Sequence, residues 1–418
     1  MPIIESIVSQ HAEEVAFLWL LRDTAVSAPH YSLTDLAELD NRIEAHLDGL
    51  RIAGDEGWSY CADGLQQEES GEVFTAAVIA FEGENPRRIE QVCATVEAAP
   101  ETARGFVSAI GWTAPDKLRG KVAGLLESPS PLWRRIGIAA CAVHRADCGK
   151  HLSRAIEDPD PMLKARALRA AGETARRELL PVLCGQIRSE VLTCGFWAAW
   201  SAVLLGDRSD GPSALRSIAA SATPLGSRAI QVLLRILSLA DADGWLKALA
   251  QYPERRRDLV IGCGVSGDPT YIPWLITRME EAPDLARIAG EALSLITGVD
   301  LADEDLEQDA PDDFAAGPTE RPEDEDISMD PDEDLPWPNP EPIRAWWDAN
   351  SGRFQAGTRY LSGEPVSEAH CRRALATGRQ RQRNAAALEL ALLRPDVPLF
   401  ETRAPGFRQQ RGLVQGAV

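Results

Sequence analysis

The sequence has few of the residues that mark a secreted, membrane-bound or metal-dependent protein. Its 418 residues include only eight cysteines and six histidines, and the cysteines are scattered without paired spacing. Such cysteines favour reduced thiols in a cytosol over a disulfide framework. The apolar run Val15–Leu21 is too short to span a bilayer and lacks a basic N-terminal flank. We therefore expect a cytoplasmic protein with no membrane partner.

The sequence also lacks the short motifs of common catalytic sites. It contains no nucleophile elbow, no phosphate loop and no H-E-x-x-H pattern. The histidines show no triad that the sequence alone supports, although triads assemble in space and the lack of a motif does not exclude an enzyme. The sequence thus predicts no catalytic residue, no cofactor and no metal.

One glycine-rich stretch has the spacing of a dinucleotide site. Gly262–Gly267 fits G-x-G-x-x-G. A dinucleotide site needs a strand before the glycines and a parallel sheet around them. The flanking segments keep a helical spacing instead, so we interpret Gly267-Asp-Pro269 as a turn between two helices.

One group of residues has ligand types that suit zinc, namely Cys141, His144, Cys148 and His151. On one continuous helix the four would stretch along about 15 Å, which is too far for a single tetrahedral ion. A break at 147–149 would fold the two pairs together. The simpler interpretation is that Cys141 is a small core residue and that the histidines flank a turn between helices.

The net charge of −21 is unevenly distributed along the chain. Residues 300–335 hold 17 acidic residues and one arginine, whereas residues 343–418 hold 12 arginines and six acidic residues. An acidic body opposes nonspecific nucleic-acid binding, because phosphate neutralisation needs a basic face. Dense acid with few large apolar groups predicts a disordered linker at 300–335, which we expect either to stay solvated or to mask a basic surface by charge pairing.

The strongest pattern in the sequence is a turn-forming residue that returns at intervals of 29 to 35 positions. Helix-sized segments lie on both sides of each turn, which is the mark of a solenoid of helix–turn–helix units. The turn residues are Pro100, Pro129, Pro159, Ser189, Pro224, Pro253 and Pro283.

The clearest unit spans Asp158–Gly172. Asp160 is placed to cap a helix that begins at Pro161, and Gly172 is placed to end it in the left-handed conformation. One side of this helix is apolar at 3.6-residue spacing. Arg166 and Arg169 fall on the opposite side with Glu173. One such unit cannot bury its apolar stripe alone, so it must stack on its neighbours.

These patterns predict an all-α protein with four parts. The expected parts are an N-terminal helical cap at 1–70, a repeat solenoid at 71–299, an acidic disordered linker at 300–335, and a small, mainly helical C-terminal module and tail at 336–418. In the last part we expect a small strand or hairpin at Phe354–Leu361 and an irregular tail after Pro395.

The repeats resemble HEAT-like repeats of the short, thirty-residue type, which also occur in phycobilisome-lyase proteins. The resemblance rests on Asp-Pro-Asp-Pro followed by Lys-Ala-Arg-Ala-Leu-Arg-Ala-Ala-Gly within 158–172, and it covers roughly 72–299. The whole chain is similar to a bacterial HEAT-like family often encoded beside type VI secretion spike and adaptor genes. The matching stretches are Gln10–Asp23, Ala45–Leu50, Arg287–Gly298, Leu335–Pro338 with Trp346-Trp347, and Gly378–Leu390. That family carries no established activity, so no catalytic residue transfers with it.

The resemblance implies a noncatalytic scaffold that binds a protein, such as a secretion effector, spike or adaptor. Curved helical stacks present extended surfaces for contact, and arginine grips carboxylates with two donors while aromatic residues are favoured at binding hot spots. The candidate partner-binding residues are Arg166, Arg169, Arg134, Arg135, Arg228, Arg235, Arg379, Arg381, Arg383, Trp346 and Trp347.

Two alternatives from other classes stay open. A HEAT-like lyase or chaperone acting on a ligand would have a deep pocket with convergent polar groups. A nucleic-acid-binding HEAT-like protein would need a contiguous basic face despite the negative total.

Overall fold

The computed structural model describes residues 4–311, 314, 317 and 329–414. These residues are mostly helical and contain only one short β-hairpin, which confirms the predicted all-α class. They form two compact units, one from the described residues of 4–206 and 395–414 and one from those of 207–394.

The helices and strands follow one another along the chain with short connections. Residues 4–206 contain α1 (Glu5–Ala25), α2 (Leu33–Ala53), α3 (Asp55–Gly64), α4 (Ser70–Glu82), α5 (Pro86–Ala98), α6 (Ala103–Trp112), α7 (Lys121–Glu127), α8 (Pro131–Val143), α9 (Lys150–Ile156), α10 (Pro161–Glu173), α11 (Leu180–Gln186) and α12 (Leu192–Leu204). The next residues contain α13 (Asp210–Ala219), α14 (Pro224–Ile236), α15 (Leu239–Leu249), α16 (Arg256–Ser266), α17 (Ile272–Glu281), α18 (Pro283–Thr297), α19 (Pro340–Asn350), β1 (Tyr360–Leu361), β2 (Glu364–Pro365), α20 (Glu368–Thr377) and α21 (Gln380–Leu393), and the last helix is α22 (Gly406–Val414). Single 3₁₀ turns lie at Leu65–Gln67, Pro100–Thr102, Pro115–Leu118, Arg177–Leu179, Pro253–Arg255, Pro269–Tyr271 and Ser351–Arg353.

The seven periodic turn residues all lie where one helix of a pair gives way to the next, as predicted. Pro224 and Pro283 are the first residues of α14 and α18, and the others lie in the connections or in single 3₁₀ turns. In the first unit the second helices of successive pairs, α4, α6, α8, α10 and α12, pack against one another in chain order. The same order holds for α14, α16 and α18 in the second unit. Each unit therefore stacks its helix pairs as an α-solenoid does.

Local capping signals set several of the helix starts. Ser32 caps α2 in a capping box with Asp35, and the side chain of Asp160 accepts a hydrogen bond from the backbone N–H of Leu163 at 2.8 Å while Pro161 begins α10. The predicted end of α10 at Gly172 is wrong. The helix continues through Glu173, and Gly172 is not in the left-handed conformation. Gly172 instead lies in close contact with Ser201 of α12.

The helix pairs bury their apolar sides against their neighbours. In α10 the predicted apolar side, including Leu163, Ala167 and Leu168, is fully buried. In the second unit, α16 packs on α14 and α18. Gly262 and Gly264 of the G-x-G-x-x-G stretch lie within α16, and Gly267 follows the helix in the left-handed conformation, so these glycines lie in or after a helix rather than after a strand. The predicted hairpin at Phe354–Leu361 is displaced towards the C-terminus. Only its last two residues form β1, and β2 follows at Glu364–Pro365, because residues 356–357 form a turn.

The described parts of the acidic segment differ from the predicted disordered linker. Leu301, Leu306, Asp332 and Leu335 are buried, and the backbone at 306–308 pairs with that at 337–339. Apolar anchors at both ends of the segment therefore hold it on the second unit despite its charge. Residues 312–313, 315–316 and 318–328, which carry the remainder of that prediction, lie outside the described residues.

The C-terminal residues also differ from the predicted single module. Residues 336–394 belong to the second unit, whereas residues 395–414 pack on the first. The expected irregular tail ends in α22, which packs on α2. Gly406 lets the tail approach closely, since an added Cβ would lie 2.7 Å from Cα of Ala37.

Candidate partner-binding surfaces

Arg166 and Arg169 do not form an open basic surface, because both bind Glu173 on the same helix. Nη1 of Arg166 donates to Oε2 of Glu173 at 2.9 Å, and Nε of Arg169 donates to Oε1 at 2.7 Å. The side chain of Glu173 is only 4% exposed. Arg169 also stacks on the Trp197 ring, with its guanidinium carbon 4.8 Å from the ring centroid. These contacts give the pair a structural role within the first unit.

The charge of Glu173 is held by the arginines around it. Burial acts to raise the pKa of Glu173, but Arg166, Arg169 and Arg145 outweigh burial and lower the pKa to about 2. A buried carboxylate that stays ionised needs such partners. Removing either arginine would therefore disturb the fold as well as any surface, so the pair is a poor probe of partner binding.

The C-terminal residues 395–408, here called the strap, run beside this cluster in the first unit. The backbone N–H of Leu399 donates to the backbone carbonyl of Glu173 at 3.0 Å. Arg145 donates from Nε to the carbonyl of Leu399 at 2.6 Å and pairs with the Glu401 carboxylate at 2.9 Å. The strap thus occupies part of the surface on which Arg166 and Arg169 were expected to receive a partner.

Arg134 and Arg135 lie on α8 and are both half-buried. Arg134 donates to the carbonyls of Ser128 and Pro129 at 3.0 and 2.7 Å and to the Asp158 carboxylate at 2.8 Å. These bonds hold the turn between α7 and α8 against the turn after α9. Arg134 also lines a cavity, which is described below.

In the second unit the predicted residues of α14 have different environments. Arg228 is exposed, whereas Arg235 is 6% exposed and lies 3.4 Å from Oε1 of Glu389. Burial raises the pKa of Glu389, although Arg235 and Arg359 act to lower it. Arg359 donates to the backbone carbonyls of Arg235 and Leu237. Arg235 therefore belongs to the junction of α14 with α21 rather than to a surface.

The arginine run at the start of α21 is largely engaged with this same unit. Nη1 of Arg381 binds the Glu291 carboxylate at 2.8 and 2.9 Å, and Arg379 pairs with Asp300 at 3.4 Å. Arg383 is fully buried and donates from Nε to the carbonyl of Leu375 at 2.7 Å. Burial lowers the pKa of Arg383 to about 10. Arg379 and Arg381 are therefore paired with carboxylates of their own unit.

Trp346 and Trp347 are both half-buried in α19, and Trp347 packs against Phe354 with ring centroids 5.4 Å apart. The neighbouring Trp337 stacks on Arg287 at 4.7 Å. Arg287 also binds Asp330 at 2.6 Å, and Arg257 binds both oxygens of Asp332 at 2.6 Å. The aromatic residues and the acidic segment therefore dock on α16, α17 and α18 of the second unit.

The four residues with zinc-ligand types do not come together as a set. His144 contacts the carbonyl of Ile110 at 2.8 Å through Nε2, and His151 lies on α9 beside the cavity that Arg134 lines. Within the described ranges of the chain, no three His, Cys, Asp or Glu side chains are grouped so as to hold a metal ion.

The sequence reasoning missed an apolar surface on α1. Phe17, Leu20 and Leu21 are 55%, 48% and 41% exposed, and Ile7 on the same helix is 47% exposed. The opposite side of the helix, with Val15, Leu18 and Trp19, is buried. The sequence did contain a signal for this surface. The run Val15–Leu21 is apolar on every side of the helix, whereas a surface helix needs only one apolar face to pack on the core.

No protein-family model matches the chain, and no curated protein or solved structure is similar enough to be matched. Across the residues that the structure describes, no helix combines the length and the apolar character needed to cross a bilayer.

Proposed function

We propose that this protein is a noncatalytic adaptor that binds a protein partner, and that the exposed apolar face of α1 is its docking surface. We further propose, from the resemblance described above, that it acts in the cytoplasm as an accessory of type VI secretion. The partner is then a secretion effector, spike or adaptor. The observation that carries the proposal is the apolar face formed by Phe17, Leu20 and Leu21.

The three side chains lie at positions i, i+3 and i+4 of one helix, so they form a continuous patch. Each is about half exposed, and complete burial of such a residue stabilises a complex by about 1.5–3 kcal/mol relative to full exposure. Burying the remaining half of each is therefore worth about 1 kcal/mol. An α-helix that lays an apolar face into a groove is a recurring way for proteins to recognise one another.

The arginine clusters support a protein partner over nucleic acid, because their charges are already paired within the chain. Arg166, Arg169, Arg379 and Arg381 are paired with carboxylates of the same chain, and a basic face for nucleic acid would need these charges. By contrast, nothing in the described part of the chain covers the exposed sides of Phe17, Leu20 and Leu21 on α1. A protein partner is the chemistry that fits them.

The proposal is tested by affinity capture of the full-length chain from its native cell, followed by mass spectrometry. The test variant is Phe17→Glu with Leu20→Glu, which places two charges in the patch and leaves the buried side of α1 intact. The matched control is Ile52→Glu with Met162→Glu, because these side chains are 86% and 59% exposed on other helices. Circular dichroism and urea unfolding establish that all three proteins fold alike.

We expect the native and control proteins to recover the same secretion components. The patch variant is expected to recover at most about one-tenth as much, because a loss of more than about 1.4 kcal/mol in binding free energy weakens affinity more than tenfold. Equal recovery by the patch variant would remove α1 from the docking surface. Recovery of nucleic acid in place of protein would favour the alternative function.

A further inference from the structure

A cavity of about 440 Å³ lies in the first unit among α7, α8 and α9. Its apolar floor is formed by Leu126, Ile138 and Ala155, which are all buried. The volume falls within the range of about 300–1,000 Å³ that is common for small-molecule sites. Neither the proposed docking face of α1 nor the strap includes any of its lining residues.

One wall of the cavity is lined by two exposed basic side chains, Lys150 and Arg154. Lys150 and Arg154 lie four residues apart on α9, so they extend from the same face of the helix. Within the described part of the chain, the side chains of Lys150, His151 and Arg154 make no hydrogen bond or ion pair. This distinguishes them from Arg166, Arg169 and Arg381, whose charges are matched by carboxylates.

The opposite wall holds a third basic group in a fixed position. The guanidinium of Arg134 uses three of its N–H groups, two on the carbonyls of Ser128 and Pro129 and one on Asp158. A guanidinium has five such donors, so two remain. Three hydrogen bonds already hold the guanidinium in place. A ligand that binds the remaining donors therefore avoids the entropic cost of ordering this side chain.

The acidic lining of the cavity cancels only part of this charge. Asp158 is committed to Arg134, and Glu127, which is exposed like Lys150 and Arg154, leaves one positive charge in excess. The unmatched charge of Lys150 and Arg154 therefore faces the same space as an apolar floor. In a chain with a net charge of −21, a small basic cavity of this kind attracts anions that the rest of the surface repels.

We propose that this cavity binds a small organic anion whose phosphate or carboxylate group contacts Lys150, Arg154 and the remaining donors of Arg134, and whose apolar part lies on Leu126, Ile138 and Ala155. The ligand bridges α8 and α9, which belong to different helix pairs. Its binding therefore stabilises the stack in the first unit, since a ligand that binds only the folded state raises its stability.

The test uses the full-length chain and three probes, namely phenyl phosphate, benzoate and inorganic phosphate, in isothermal titration calorimetry at constant ionic strength. The test variant is Lys150→Gln with Arg154→Gln. The matched control is Arg177→Gln with Arg188→Gln, because these arginines are exposed elsewhere in the first unit and the change in charge is the same. Urea unfolding without ligand shows whether the four substitutions leave the fold intact.

We expect phenyl phosphate or benzoate to bind with one site per chain, and the tighter of the two identifies the anionic group. Inorganic phosphate is expected to bind at least about tenfold more weakly, because it cannot cover the apolar floor. The test variant is expected to lose at least about tenfold in affinity for the organic probe, while the control variant keeps it.

Three results would overturn the proposal. The first is no saturable binding of either organic probe up to about 10 mM, a concentration that corresponds to about −3 kcal/mol. The second is equal affinity in the native protein and the Lys150→Gln, Arg154→Gln variant. The third is equal affinity for inorganic phosphate and the organic probes, which would mean that the cavity floor is not part of the site.

Discussion

Arg22 donates from Nε to Oδ1 of Asp40 at 2.6 Å, and both side chains are buried. The pair joins α1 to α2 and also holds the strap. Nη2 of Arg22 donates to the carbonyls of Arg403 and Ala404 at 3.1 and 2.9 Å, and Oδ2 of Asp40 accepts from the backbone N–H of Gly406 at 2.5 Å. One buried ion pair therefore satisfies three backbone groups from a segment more than 360 positions away in the sequence.

Asp40→Ala is expected to lower the free energy of unfolding by about 3–5 kcal/mol, because it leaves the charge of Arg22 buried without its carboxylate. Urea unfolding at pH 7 measures the change. The control is Asp48→Ala, which removes an exposed partner of Arg51 that retains two other carboxylates. The control should cost less than about 1 kcal/mol. Equal effects of the two substitutions would mean that the strap is not anchored through Asp40.

Glu173→Gln is expected to change how stability depends on pH. At pH 7 the variant should be less stable, since Arg166, Arg169 and Arg145 lose the carboxylate that they surround. The pKa of Glu173 is lowered from 4.5 to about 2, so the unfolded chain takes up the proton first as the pH falls. The advantage of the native protein is therefore complete above about pH 4.5 and disappears towards pH 2.

The measurement for Glu173 is urea unfolding of both proteins at pH 7, 5, 4 and 3. The difference between the two free energies should shrink across the lower part of this range. Glu178→Gln is the matched control, because Glu178 is 58% exposed and binds Arg176 at the surface. Its difference from the native protein should stay small at every pH. A difference for Glu173 that does not change with pH would mean that the carboxylate is not held ionised by the arginines.

The stack of helix pairs was predictable because its signals are local. The cap at Asp160, the proline that follows it and the apolar spacing of α10 all lie in or beside a single helix. The regular return of the turns then required each pair to cover its neighbour. The i, i+4 spacing of Arg169 and Glu173 suits an ion pair within one helix, although we expected from the sequence that Arg169 would instead bind a partner.

The packing of the strap was not predictable from such signals. Leu399, Arg403, Ala404 and Gly406 bind through backbone groups, and a backbone group carries no sequence signature of its partner. The same limit explains why Arg166 was expected at an open surface. The spacing of Arg166 places it on the polar side of α10. Whether this polar side meets solvent depends on the strap, which comes from the far end of the chain.

The side chain of Arg408 connects the strap to the ends of two helices. It donates to the carbonyl of Gly111 near the end of α6 at 2.5 Å and to the carbonyl of Val143 at the end of α8 at 3.0 Å. Carbonyls in the last turn of a helix lack partners within the helix. Arg408→Met is therefore expected to lower the free energy of unfolding by about 1–3 kcal/mol.

Hydrogen exchange separates this local effect from a general loss of stability. In Arg408→Met, amide exchange should rise first in the strap and near the ends of α6 and α8, while α16 and α18 keep their protection. Arg411→Met is the control, because Arg411 is exposed and lies one turn further along α22. Unchanged exchange in α6 and α8 would show that these carbonyls do not depend on Arg408.

The glycines of the G-x-G-x-x-G stretch have a packing role that substitution can test. A Cβ added to Gly264 in α16 would lie 2.9 Å from Cα and Cβ of Ala292 in α18. Real Cβ atoms do not approach so closely, so the two helices would have to separate. Gly264→Ala is therefore expected to cost about 1–3 kcal/mol, although alanine favours a helix more than glycine does.

The matched control for Gly264 is Gly244→Ala in α15, where an added Cβ meets nothing within 4 Å. This change should stabilise the protein by up to about 1 kcal/mol, because only the gain in helix propensity remains. Urea unfolding of both variants, monitored through the unfolding of the second unit, shows whether each substitution raises or lowers the free energy of unfolding. If Gly264→Ala were also stabilising, the close approach of α16 to α18 would not be what requires glycine at this position.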